Sequence, residues 1–377
     1  MPVLSAVLML VLLIWLQDLI YSIYWNKKMI CELRFSEKAV TEGANLELIE
    51  TLTNAKYLPL PWIALKFQVS RNLVFDGVNA NVTDDFYRND MFAALSYQKI
   101  ARRLAFTCAR RGFYTIKSID LVSSNILQSR RLVMHIGSGA ALTVYPKLIP
   151  VDDQLFPFTN LLGEVITRRF IHPDPFEFRG IREYQPYDSF RMINFKATAK
   201  TGQLMVNVNE FTSSLQVVVI LNLEPYTEFA GHTLFELSIR LAASLSAFAI
   251  EKGIQLRFIT NGKDIETGYD ADIAGGAGAG HLTNILETLA RVDLNKKPDK
   301  IIPVIREVSM QNEADSVYVL ISPNNSAALL DAFNGLKETG AYALWIIPAY
   351  KESKLNISLR EDIVIWSQML NEQTAIL

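Results

Sequence analysis

Two cysteines, four histidines and no surplus of either charge leave this 377-residue chain without the raw material of most familiar chemistries. Cys31 and Cys108 cannot build a disulfide framework, and no C-x-x-C spacing of zinc or redox motifs occurs, so both read as buried or idle thiols in a reducing compartment. Lys and Arg total 37 against 39 Asp and Glu, so there is no global field to attract nucleic acid, whose non-specific binding is mostly electrostatic. His135, His172, His232 and His281 are scattered, and none lies in the H-E-x-x-H spacing of a zinc protease. No G-x-S-x-G elbow is present, and Cys108 falls inside an alternating strand pattern, a poor place for an exposed nucleophile. The Gly/Ala tract Gly275-Gly276-Ala277-Gly278-Ala279-Gly280 matches neither G-x-x-x-x-G-K-[ST] nor G-x-G-x-x-G, and reads as a lead-in to the helix after His281. These absences predict no catalytic residues, no cofactor and no enzyme.

An apolar N-terminus is what the chain has in abundance. Val3 to Trp25 would rise about 34 Å as a helix, enough for a hydrocarbon layer of about 30 Å. Tyr21, Tyr24 and Trp25 suit an aromatic belt at the interface, whereas Gln17 and Asp18 oppose insertion. Basic residues before the run and a small-residue cleavage site are both missing, which predicts an uncleaved single-pass anchor in the cell membrane over residues 1–28; a peripheral or buried helix is the alternative. Lys27 and Lys28 follow the span and no Lys or Arg precedes it, placing the bulk of the chain in the cytoplasm.

Residues 29–146 read as short strands separated by turns. Ile63, Leu65, Phe67 and Val69 alternate with smaller or polar neighbours, and Leu104, Phe106 and Cys108 repeat the period, which predicts an antiparallel β-sandwich. From 215 to 377 strands alternate with helices. The run 215–221 and strands at 254–259, 317–321 and 342–347 are separated by helical stripes such as Leu234, Leu237, Leu241, Leu245 and Phe248, with capping-box spacing at Thr233–Glu236 and a stop at Gly253. That alternation builds a doubly wound, Rossmann-like α/β sheet, with its ligand crevice at the carboxyl ends of the strands. Residues 147–214 link the two.

Within that link, Tyr184-Gln185-Pro186-Tyr187-Asp188 carries turn chemistry, followed by Arg191, Ile193, Phe195, Ala199 and Lys200. The order resembles the bacterial family known as domain of unknown function 58, whose Y-x-P-G-D-x-x-R-x-I-x-W-x-x-x-A-R signature precedes a von Willebrand factor A-like domain. Tyr187 stands for Gly, Phe195 for Trp and Lys200 for Arg; Arg110-Arg111-Gly112-Phe113-Tyr114 is similar to the R-R-G-x-Y of the family's sandwich. Two roles stay open for the segment: a structural clamp, with Arg191 pairing with Asp188 or Glu183 while Phe195 packs across the first strand, or a surface whose Arg182, Arg191 and Lys196 meet an acidic partner.

The resemblance implies a divalent-cation loop of Asp-x-Ser-x-Ser form after the first strand, a Thr from a second loop and an Asp after a later strand. This sequence has Asn222-Leu223-Glu224-Pro225-Tyr226, no Thr in the Gly/Ala tract, and Ser322-Pro323, so no metal is expected. A crevice of Asn222, Glu224, Tyr226, His281 and Pro323, bordered by Arg191, is then the expected partner-binding site. The resemblance further implies that a MoxR-type AAA+ ATPase is the partner, in assembly or maturation of a membrane or envelope protein complex. A small-molecule sensor or an uncharacterised enzyme of the cell envelope, using the same crevice, is the alternative.

Overall fold

The computed structural model describes residues 2–75, 85–128, 130–149, 158, 163, 178–186, 188–209, 215–225, 232–311, 316–338, 342–349 and 360–366. They fall into two units, one of Met1–Lys147 with Leu289–Arg291, the other of Leu148–Thr288 with Val292–Leu377. The helix at the N-terminus thus groups with the strands that follow it, and the signature segment groups with the second unit.

The first unit opens with α1 (Pro2–Tyr24) and continues through β1 (Met29–Phe35), β2 (Ala39–Thr41), β3 (Asn45–Asn54), β4 (Leu60–Ser70), β5 (Leu73–Phe75), β6 (Asp85–Ala94), β7 (Lys99–Cys108), β8 (Gly112–Ser124) and β9 (Arg131–Tyr145). Strict alternation does the work here: in β1, Met29, Cys31, Leu33 and Phe35 are buried and the residues between them are exposed. One sheet has the order β1-β3-β7-β5 and the other β2-β9-β8-β4-β6, with every pairing antiparallel except β2 with β9. Leu48, Leu52 and Phe106 from the first and Leu65, Phe67, Leu121 and Leu142 from the second share one core, the arrangement of a β-sandwich. Burial in that core pushes the Cys31 thiol up to about 12, with the Glu50 and Glu32 carboxylates adding to it, and the Cys108 thiol up to about 11.

A charged clasp joins the two sheets. Glu50 on β3 pairs with Arg102 on β7 at 2.9 Å, Arg102 reaches Asp90 on β6 at 3.0 Å, and Arg88 meets the same carboxylate at 2.6 Å. The Arg102 guanidinium also lies 4.3 Å from the Phe92 ring centroid. Glu50 is buried, and desolvation together with the nearby Asp90 charge raises its carboxyl to about 7 against the opposing pull of Arg102.

Sequence pattern treats α1 as an anchor ending in an aromatic belt; the structure corrects the second half of that reading. Tyr21 and Trp25 are 2% and 4% exposed and belong to the sandwich core. Tyr21 Oη donates to the Pro59 carbonyl at 2.9 Å, and Asp18 accepts from Asn125 Nδ2 at 3.1 Å and Arg130 Nη1 at 3.4 Å. Positions 18, 21 and 25 recur at i, i+3 and i+7, so they form one helix stripe, and that stripe meets the sandwich. Tyr24, on another face, stays exposed with Lys27 over its ring.

In the second unit, β10 (Phe178–Glu183) pairs antiparallel with β11 (Met205–Asn209), and between them lie a 3-10 turn at Phe190–Met192 and α2 (Phe195–Thr201). A six-stranded sheet follows, of β12 (Gln216–Leu221), β13 (Gln255–Thr260), β14 (Ala271–Gly276), β15 (Ser316–Ile321), β16 (Tyr342–Pro348) and β17 (Ile363–Trp366), in the order β14-β13-β12-β15-β16-β17. All its pairings are parallel except that of β14 with β13. Its helices are α3 (His232–Glu251), α4 (Ala279–Arg291), α5 (Ile301–Gln311) and α6 (Ala327–Glu338). Ile301 and Ile305 of α5 and Leu329, Phe333 and Leu336 of α6 pack on Val218, Ile220, Tyr318, Leu320 and Trp345. Helix α3 packs on β12, β13, β15 and β16, and Val217 and Val219 are buried as well, so the central strands are covered on both faces. Helix α3 begins at His232, so Thr233 sits inside the first turn and does not cap it. Gly253, with φ +73, takes the left-handed turn after it: Gly253 N–H bonds Ile250 O and Ile254 N–H bonds Ala249 O, both at 3.0 Å.

Candidate functional site

At the carboxyl edge of the sheet, the three central strands end in short uncharged polar residues that bond one another. Asn222, after β12, gives its Nδ2 to Ser322 Oγ at 2.9 Å and receives Asn261 Nδ2 and the Glu224 N–H on Oδ1, each at 2.9 Å. Asn261, after β13, accepts the Leu223 N–H at 2.9 Å and donates to the Asp299 carbonyl at 2.7 Å. Ser322, after β15, accepts the Asn324 N–H at 3.1 Å, while Asn324 Oδ1 caps the approach to α6 by accepting from Ser326 N at 3.0 Å. Asn222, Asn261 and Ser322 are fully buried. The network stitches the ends of β12, β13 and β15 with amides and hydroxyls whose capacity is spent on one another, so Asn222 Oδ1 has two donors already in place.

The residues expected to form one crevice separate. Glu224 and Pro323 sit at this edge, both half-buried, beside Asn222. Tyr226 lies outside the described residues. His281 is at the opposite edge: its Nε2 lies 2.7 Å from the carbonyl of Leu256, near the start of β13, whereas Asn222 and Asn261 follow the strand ends. The reason is β14. A Gly-rich stretch with weak strand propensity, Ala271–Gly276 pairs antiparallel with β13 and returns the chain to the amino edge before α4 begins. A Cβ on Gly276 would come within 2.6 Å of His281 Nδ1, so this glycine is there for close packing of the imidazole. The helix also starts earlier than the sequence suggests, at Ala279, after Gly278 with φ +86.

Arg191, expected to border the crevice, belongs to the β10–β11 lobe of the same unit, which carries a hydrogen-bond set of its own. Arg182 on β10 grips Asp188 through both oxygens, each at 2.6 Å, and the Gln185 N–H adds a third bond to that carboxylate at 2.8 Å. The Arg182 hydrogen bond, helped by Gln185 and opposed by desolvation, holds the Asp188 carboxyl below its ordinary range. The clamp therefore uses Arg182, and Arg191 does not take that part. The turn closed by Asp188 N–H on Gln185 O, at 2.9 Å, folds the carboxylate back toward β10, where Arg182 stands. Tyr184 stacks on Phe190, with centroids 5.9 Å apart; Ile193 bridges Val206; Pro186 lies in the turn. Asn194 caps α2 through the Ala197 N–H at 2.9 Å and ties it to Asn207 at 2.7 Å.

Phe195 does not pack inward. Phe190 and Phe195 are each 75% exposed, and Arg191, Lys196 and Lys200 are exposed on the same short stretch, without an ion pair among the described residues. Of the two roles open from the sequence, the clamp has Phe195 packing across the first strand, and its exposure at the start of a two-turn helix tied to β11 by Asn194 and Thr198 does not fit that arm. Among the described residues no group of three His, Cys, Asp or Glu side chains is placed to hold a metal ion.

Residues 180–329 match the family described as "Protein of unknown function DUF58". No curated protein matches the chain. Solved structures align with sheet-rich domains: the CARDB domain of a Pyrococcus furiosus protein (11% identity, covering 29% of this chain and 92% of that one, TM-score 0.18) and a non-cellulosomal cohesin from Archaeoglobus fulgidus (8%, 33% and 96%, TM-score 0.22). A type I cohesin from Pseudobacteroides cellulosolvens aligns similarly (12%, 33% and 96%, TM-score 0.21).

Proposed function

We propose that this chain is a membrane-anchored, non-enzymatic protein-interaction module, with a von Willebrand factor A-like domain whose cation position has been replaced by the Asn222–Asn261–Ser322 network. The bulk of the chain lies in the cytoplasm on this reading, held by α1. A MoxR-type AAA+ ATPase is the proposed partner, acting with it in assembly or maturation of a membrane or envelope protein complex; it would supply the nucleotide chemistry for which this sequence has no motif.

One observation carries the reading: two exposed phenylalanines among three exposed cations, on a lobe locked by the Arg182–Asp188 clamp. Solvent gives no reason to hold aromatic rings outward on a pre-organised element, and aromatic residues with Arg are what the centres of protein interfaces favour. The cations suit an acidic partner face, where they would speed encounter in a salt-dependent way. Separation of His281 from Glu224 favours this reading over the envelope-enzyme or sensor alternative, which calls on both residues in one crevice. Copurification of a MoxR-type AAA+ ATPase on the full-length bait, with and without ATP, tests the proposal. Enrichment by the native chain that is lost with Phe190→Ala/Phe195→Ala supports it, and enrichment indifferent to both substitutions, or none at all, rejects it.

A further inference from the structure

Helix α1 is exposed all round over only part of the length that a bilayer crossing needs. Residues 3–16 are exposed all round, and fourteen residues rise about 21 Å against a hydrocarbon layer of about 30 Å. Within α1 the next two turns supply further length, and there Leu19, Ile20, Ile23 and Tyr24 still face outward while Asp18, Tyr21 and then Trp25 are held by the sandwich. If those turns lie at membrane depth, so does the end of the sandwich that holds them.

Strand registers identify what else lies at that end. Met29 opposite Asn54, Thr53 opposite Lys99, Leu60 opposite Ala94, Ile63 opposite Ser123 and Ser124 opposite Arg131 bring the connections 55–59, 95–98 and 125–130 together beside the end of α1. Backbone and side-chain bonds tie two of them: Tyr97 N–H to Lys56 O at 3.1 Å, and Asn54 Nδ2 to both Leu58 O and Leu95 O at 2.9 Å. On these tips Tyr57, Leu95, Tyr97, Ile126 and Leu127 are between 55% and 80% exposed. Lys27, Lys28, Lys99 and Arg131 are exposed at the same level.

We infer that this end of the β-sandwich is a second membrane contact, with Tyr57, Leu95, Tyr97, Ile126 and Leu127 seated in the headgroup layer around the anchor. The occupant is the lipid surface because the patch is continuous with a helix that itself needs lipid, and because its composition, aromatic and aliphatic tips among basic residues, is that of an interfacial surface. The Asp18–Arg130–Asn125 cluster then has a role: it satisfies the carboxylate at a depth where an unpaired one would be expelled. The inference rests on α1 entering a bilayer, as the proposed function holds.

Depth-dependent quenching of the full-length chain in phosphatidylcholine/phosphatidylglycerol vesicles separates the two. A bimane label is attached in turn through Tyr57→Cys, Leu95→Cys, Leu127→Cys, Leu8→Cys and Glu37→Cys; the native thiols, both buried, do not compete. Glu37 follows the far end of β1, which lies about 20 Å of strand from Met29. Labels at positions 57, 95 and 127 are expected to be quenched several-fold more strongly by headgroup-nitroxide lipid than the label at 37, and the label at 8 by deep acyl nitroxide. Deep quenching at 8 with tip labels as open to aqueous iodide as position 37 overturns the second contact and spares the anchor. No lipid quenching at 8 removes the anchor and the inference with it.

Discussion

Asn222→Ala is the sharpest perturbation of the network that joins the strand ends. The substitution deletes three hydrogen bonds, to Ser322 Oγ, from Asn261 Nδ2 and from the Glu224 N–H, at a site with no solvent exposure. Each bond contributes about 1 kcal/mol net, and leaving buried donors unpaired adds to that, so a loss of at least about 3 kcal/mol is expected. At about 1.4 kcal/mol per tenfold, that is roughly a 100-fold drop in amide protection. Hydrogen exchange read by mass spectrometry suits a two-unit chain in detergent, for which one global unfolding free energy is not defined, because it reports β12, β13 and β15 separately from the sandwich. The fall should be confined to those strands and their helices. Exchange within about threefold of the native chain would show that the strand ends do not depend on Asn222, and the view of this edge as a self-satisfied network would be wrong.

Three further outcomes follow from the same physics. Gly276→Ala should loosen β14 and α4 by about 1–3 kcal/mol, since the new Cβ displaces the His281 ring, and adding His281→Ala should return part of the loss in a double-mutant cycle followed by local exchange. Trp25→Ala should cost the sandwich about 3–5 kcal/mol, visible as lost protection in β3 and β4, whereas a substitution on a mere tether would leave them unchanged. For pH, Glu50 is raised to about 7 in the fold, so the folded state binds the extra proton and sandwich stability should fall as pH rises from about 4.5 to 7. Lys56, lowered to about 8 by burial, acts in the other sense: the unfolded chain binds more protons above that, so stability should rise from pH 8 toward 10.5. Glu50→Gln and Lys56→Met should each flatten its own window in protection measured against pH.

Period and alternation were enough to read much of the chain. The two-residue rhythm of Ile63, Leu65, Phe67 and Val69 marks β4 because each of those side chains must face the opposing sheet, and all four are buried. Apolar runs at 216–221 and 316–321 similarly mark strands covered on both faces. What escaped was set by partners distant in sequence. Ala271–Gly276 has no apolar rhythm and becomes a strand only because β13 offers an open edge, and that reversal carries His281 away from Asn222. Tyr21 and Trp25 look like interface aromatics in a linear reading, yet the helix stripe they share with Asp18 is complementary to the sandwich. Exposure of Phe190 and Phe195 was equally hidden, since composition names a residue's preference for burial and not whether a small lobe has room to satisfy it.

The seating of Tyr21 and Trp25 inside the sandwich also bears on where the chain can be shortened. A truncation that removed the last turns of α1 would take two aromatic side chains out of the hydrophobic interior and leave apolar surface uncovered there. Any shortened version made for study therefore has to keep residues 18–25 attached.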